Sequence, residues 1–174
     1  MEIALLALRL VVGLTFAAHA VPKFFRVWGG GGIQGTADMF DQIGLRPGKL
    51  NAWLAGVAEL GGGLLIAFGL ATPFGAAALI AAMTVAVLTV HLHNGFFNTS
   101  NGYEYNLVLA VAAFALAGTG PGAWSLDNAF GIDMAGTEWA LGALGAGVLG
   151  GVGAVLTGRL TAAPGSDHGQ PDTA

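Results

Sequence analysis

"LNAWLAGVAELGGGLLIAFGLATPFGAAALIAAMTVAVLTVH" runs from Leu50 to His91 and carries one formal charge, Glu59. About twenty helical residues cross the roughly 30 Å hydrocarbon layer of a bilayer, so this stretch is long enough to cross twice. Thr72-Pro73 divides it. A proline sits easily in the first turn of a helix but breaks one that runs into it. The stretch therefore reads as spans over 50–70 and 74–91, joined too briefly for anything but an antiparallel hairpin.

The composition extends this reading to the whole chain. Of 174 residues, 55% are hydrophobic and only 9% charged. Mean hydropathy is +0.71. A water-facing surface takes roughly a quarter charged residues, so much of this surface faces lipid. With six Lys and Arg residues and a net charge of −4, a nucleic-acid partner is excluded. The absence of cysteine removes disulfides, thiolate ligands and thiol redox chemistry. Thirty glycines fit close packing of membrane helices.

Outward from the hairpin, three more apolar runs give spans over 3–21, 105–117 and 138–156. The first has no basic segment ahead of it and is expected to stay attached as a span. It ends at His19, Pro22 and Lys23. The connection from Lys23 to Lys49 opens with "KFFRVWGGGG", whose four glycines should stop a helix. "TADMFDQIG", from Thr36 to Gly44, then reads as a short interfacial helix over 36–43, with Thr36 as N-cap and Gly44 past its end. In the fifth run, Gly142, Ala146, Gly150 and Ala154 are spaced four apart and suit a helix contact. The fold expected is all-α: a polytopic membrane helical bundle over 1–157 with a flexible tail over 158–174.

Alternation of spans places polar residues. Span one ends and span three ends on the same side, where span four begins. His19, Lys23, Arg26, His91, His93, Tyr103, Glu104 and Tyr105 therefore share one membrane edge, whichever way the bundle points, and His19, His91, His93, Tyr103, Glu104, Tyr105 and Asn106 are the candidate polar site there. Lys23, Arg26, Arg46 and Lys49 lie in one connection, while the one after span four holds Asp127 and Asp133 without a cation. The positive-inside rule puts the basic side in the cytoplasm and the N-terminus outside. Trp28, Trp53, Trp124 and Trp139 read as interface anchors.

Two charges lie deeper. Counted from Lys49 and Lys23, Glu59 and Arg9 sit roughly 15 Å and 21 Å into the layer. A lone charge at such depth costs several kcal/mol, so an Arg9–Glu59 ion pair is expected, serving packing or proton relay. The edge cluster suits the polar head of a quinone, since His and Tyr can donate to its carbonyls and His or Glu can carry protons. Phe96 and Phe97 would flank the ring. The alternative is a hydrogen-bonded interface cluster without a ligand. His19, His91, His93 and Glu104 are metal-ligand types, but no metal motif is present, and neither metal nor haem is expected.

"LRLVVGLTFAAHAVPKF" (Leu8–Phe24), "GVAELGGGLLIAFGLATPFGA" (Gly56–Ala76), "GFFNTSNGYEYNLVLA" (Gly95–Ala110) and "GPGAWSLDNAFG" (Gly120–Gly131) together resemble the DoxX family of small bacterial membrane proteins. The resemblance implies a compact four-helix core, to which the fifth span is appended, in the cytoplasmic (inner) membrane. It carries over to Arg9, His19, Lys23, Glu59, Gly102, Glu104, Tyr105 and Asn106. It also implies association with redox complexes, since some members are the small membrane subunit of a thiosulfate–quinone oxidoreductase. Two classes follow: a quinone-linked membrane subunit with a soluble or membrane redox partner, or a non-enzymatic transporter or assembly protein. Lipids surround the chain in either case, and self-association is compatible with both.

Overall fold

The structure, a computed structural model, describes residues 1–162. Those residues are helical throughout their regular elements. They form α1 (Glu2–Phe24), α2 (Gly32–Gln42), α3 (Gly48–Phe68), α4 (Thr72–Ala86), α5 (Glu104–Thr119), α6 (Leu126–Phe130) and α7 (Thr137–Leu160). Most of the tail expected over 158–174 lies outside the described residues. Its beginning does not behave as a tail: Gly158 is buried in α7, and its carbonyl accepts from Arg46 N at 3.1 Å.

Four helical stretches are long and apolar enough to cross a membrane: Glu2–Phe24, Gly48–Phe68, Thr72–Asn94 and Thr137–Leu160. The remaining run forms α5, whose 16 residues reach only about 24 Å. The outward faces of the bundle are apolar as well. Val11, Val57, Val111 and Leu149 are each more than half exposed. Such a surface suits lipid and not water.

Small residues decide how the helices meet. Gly13 packs on Gly63 and Ala67, and Gly63 on Phe16 and Ala17, so α1 runs antiparallel to α3 at close range. Gly147 lies against Ile80 and Gly151 against Thr84, a constant offset that makes α7 parallel to α4. The buried set on α7 includes Ala143, Gly147, Gly151 and Val155. The stripe expected from sequence, starting at Gly142, is one residue out of step. One residue is about 100° of helix rotation, and a methyl group at Gly142 would meet nothing within 4 Å. In so glycine-rich a helix, several faces carry the same spacing, and the partner's shape selects one.

The α3–α4 hairpin turns on Gly69, whose φ of +61° closes the end of α3 while Leu70 N bonds back to Leu65 O at 2.9 Å. The amides that open α4 are capped from afar. Asp127 accepts from Ala71 N at 2.7 Å and from the Thr72 hydroxyl at 3.1 Å. Its own amide donates to Gly69 O at 2.8 Å. At the other end, α2 starts at Gly32, the last of the four glycines, and not at Thr36. Positive φ at Gly29 and Gly32 turns the chain into it. Gly44 ends it, with Leu45 N bonded to Phe40 O at 2.8 Å. Phe40, Leu45, Ala52 and Val155 form a small core beneath α2, apart from the main core around Phe16, Ile66, Leu79 and Leu116.

Candidate functional site

The α1–α3 register sets what faces what. Because Gly63 touches residues on both sides of Thr15, Glu59 stands level with the last turns of α1, near His19. Lys23 reaches back along its helix, as helical side chains do, and its Nζ donates to Glu59 Oε2 at 2.5 Å and to His19 O at 3.1 Å. Glu59 is buried and Lys23 half-buried. This corrects the pairing expected from depth. That count took Lys23 and Lys49 as level, whereas Phe24 packs on Gly56, well inside α3.

Arg9 belongs to the opposite end, about ten residues or 15 Å from the level of Glu59. It is 1% exposed. Its Nη2 donates to Trp124 O at 2.5 Å. Gly69 lies beside the guanidinium, where any larger residue would collide with it. Arg9 thus clamps the segment that supplies Asp127 to α4.

At the Glu59 end, α5 is shorter than its neighbours, and the chain from Gly95 to Tyr103 folds over the missing turns. Tyr103 N and Glu104 N return to Gly95 O and Phe96 O at 3.2 and 2.9 Å. The Glu104 carboxylate accepts from Asn98 N at 3.0 Å, and Tyr103 packs edge-on against Phe96 at 5.5 Å. Beneath this cover lies a cavity of about 290 Å³ between α1, α3, α4 and α5. His19, Lys23, Glu59, His91, Tyr105 and Asn106 line it, with Asn98 from the cover.

Most of the polar edge read from sequence therefore converges on one space. His93 is exposed and does not line the cavity, and Tyr103 and Glu104 hold the covering loop. Phe96 and Phe97 pack edge-to-face at 5.4 Å and also lie outside the lining. Among the described residues, no group of three His, Asp or Glu side chains is placed to hold a metal ion. Sequence reasoning left Lys23 out of the site, along with Asn98 and Met83. Lys23 enters the site through the antiparallel glycine contacts of α1 and α3, which only the packed structure shows.

Both lining histidines have a defined ring direction. His19 Nδ1 lies 2.9 Å from Thr15 O, and His91 Nδ1 lies 2.8 Å from Asn101 O. A carbonyl only accepts, so each Nδ1 carries the hydrogen, and each Nε2 is free among the described residues. A free Nε2 can take a proton from a hydroxyl or, once protonated, donate to a carbonyl. Asn106 is buried, with only the weak acceptor Met83 Sδ 3.5 Å from its amide nitrogen.

A second cavity, of about 260 Å³, lies on the other face of the ion pair. Apart from Lys23, Glu59, Asn51 and Thr89, its lining is apolar, drawn from α2, α3, α4 and α7 and the α2–α3 link. The two cavities share Lys23, Glu59 and Ala86. At this level α4 loosens into a π turn over Val87–His91. Such turns are rare and recur at functional sites. Here it sends Thr89 and Val90 to the apolar cavity and His91 to the polar one.

A protein of Bacillus subtilis (strain 168) named "Putative oxidoreductase CatD" is 33% identical over 118 residues, covering 68% of this chain and 81% of its own. An uncharacterized membrane protein, Rv3486 of Mycobacterium tuberculosis, is 28% identical over 72% of this chain and 80% of its own. An uncharacterized protein of Haemophilus influenzae is 31% identical over 71% of this chain and 87% of its own. No solved structure matches. The DoxX family model matches residues 4–92, the part that contributes Arg9, His19, Lys23, Glu59 and His91, and the chain belongs to the DoxX family of membrane proteins.

Proposed function

We propose that this protein is a redox-associated subunit of the bacterial cytoplasmic membrane that binds quinone or a similar lipophilic small molecule and presents it to a soluble or membrane redox partner. The observation that carries this reading is the polar cavity beside the Lys23–Glu59 pair, with free Nε2 atoms on His19 and His91. A quinone carbonyl needs a hydrogen-bond donor, and its reduced form needs a proton acceptor. Imidazole supplies either role according to its charge. The name of the Bacillus subtilis relative, "Putative oxidoreductase CatD", points the same way. Without cysteine, the electrons must come from a bound group or a partner.

A membrane passage is less well supported. Both cavities lie toward the same end of the bundle, and neither lining reaches Arg9 or Asp127 at the other end.

The test is saturable binding of a tailless quinone, 2,3-dimethoxy-5-methylbenzoquinone, to the detergent-solubilised protein by titration calorimetry. His91→Ala should weaken it about tenfold, the loss of one hydrogen bond of about 1–1.5 kcal/mol. A protein that yields no quinone on extraction, and that binds neither this compound nor a tailed form, would reject the reading.

A further inference from the structure

The two cavities differ in chemistry but touch at one threshold, made by Lys23, Glu59 and Ala86. Sites for small molecules usually enclose about 300–1,000 Å³. Each cavity alone lies near the lower bound of that range, and together they fall well inside it. We propose that they form one bipartite site for a single amphiphile: a ring-sized polar head in the His19–His91 cavity and a hydrocarbon tail in the apolar one. The inference rests on the quinone reading above and adds the class of ligand, a quinone with a tail and not a small water-soluble one.

The helix packing supports this division. α3 and α7 each pack along α4 and scarcely on each other, leaving a trough floored by Ala82, Val85 and Ala86. Small residues keep the trough open: Ala58 on α3, and Gly151 and Ala154 on α7. Leu54, more than half exposed, forms part of its wall on the lipid side. A tail can therefore enter sideways from the membrane and never meet water. α2 closes the trough toward the membrane surface with Met39 and Phe40.

The ion pair stands at the point where tail chemistry must change to head chemistry. The Lys23 ammonium donates to both His19 O and Glu59 Oε2, so the pair presents a fixed polar wall to the head. Ala86 is the small residue of the threshold, and it immediately precedes the π turn that separates Thr89 from His91.

The experiment compares two probes on three proteins. The tailless quinone named above and its decyl-chain derivative are titrated against wild type, Ala154→Leu and Ala58→Leu. Tails partition into detergent, but equally for every protein, so the ratio between proteins is informative. Each leucine fills the tail cavity and leaves the head cavity alone. The decyl compound should bind about tenfold more weakly to each variant that keeps the wild-type melting temperature, as overfilling a packed space requires. The tailless compound should bind all three equally. An unchanged ratio for the decyl compound would leave the trough to a lipid chain and overturn the bipartite site, while the head site stands. Failure of both compounds to bind wild type would remove the quinone reading, and this inference with it.

Discussion

Lys23 and Glu59 meet across 36 positions of chain with side-chain exposures of 21% and 11%. Two charges removed from water repay their desolvation only while they remain together. Glu59→Leu alone leaves an ammonium group against an apolar wall, and Lys23→Met alone leaves a carboxylate there. Each should destabilise the bundle by about 3 kcal/mol, as breaking a buried pair does. The double variant should recover most of that loss, because both charges are gone and the volumes are similar. Chemical unfolding in detergent micelles would read all three. Equal loss in the double variant would mean that the pair holds structure through contacts other than its charges. A double variant that is stable yet binds no quinone would separate the pair's part in binding from its part in folding.

Among the elements, α7 shows how little separates a packed face from a bare one. Gly147 and Gly142 belong to the same glycine-rich helix. A methyl group at Gly147 would stand 2.6 Å from Ile80 Cβ and 2.9 Å from Ala77 O, both on a helix that cannot yield locally. Gly147→Ala should therefore cost about 1–3 kcal/mol through overpacking against α4. Gly142→Ala faces open space and should be neutral, or stabilising by up to about 1 kcal/mol through helix propensity. Melting temperatures of the two variants, measured side by side, would decide this. The reverse ranking would place α7 on its other face. α5 matters for the opposite reason. Being short, it leaves space under the Gly95–Tyr103 cover, and that space is the polar cavity.

For the whole molecule, charge is sorted by end. Lys23, Arg26, Arg46, Lys49 and Arg159 all lie toward the cavity end, and Arg9 is the one cation at the other, beside Glu2, Asp127, Asp133 and Glu138. By the positive-inside rule, the cavity end is expected to face the cytoplasm. The tryptophans mark both interfaces. Trp28 and Trp53 sit at the cavity end, and Trp124 and Trp139 at the other, where Trp139 packs on Phe74 at 6.2 Å. Because the chain has no cysteine, a single introduced one is a unique label. In intact cells with a permeable outer envelope, a membrane-impermeant maleimide should modify Asp133→Cys and leave Thr99→Cys untouched until the membrane is opened. The opposite pattern would invert the protein.

Sequence alone showed an all-helical membrane bundle, the break at Thr72-Pro73 and the gathering of His19, His91, Tyr105 and Asn106 at one edge, while the structure gives four helices long enough to cross and a shorter α5. The first three follow from composition along the chain and from the alternation of crossings, which are one-dimensional facts. Sequence also placed Arg9 and Glu59 facing inward, since charge at that depth has few alternatives. Tertiary structure decided what each one faces. The partner of Glu59 depends on a register between α1 and α3, set by the contact of Gly13 with Gly63, and a shift of a few residues moves a partner by several ångströms. The same holds for the face of α7, chosen among glycine stripes of equal spacing, and for Glu104, which the covering loop engages through Asn98. Helix formation and burial are properties of a segment, whereas pairing is a property of two segments. Only their packing fixes the distance between side chains.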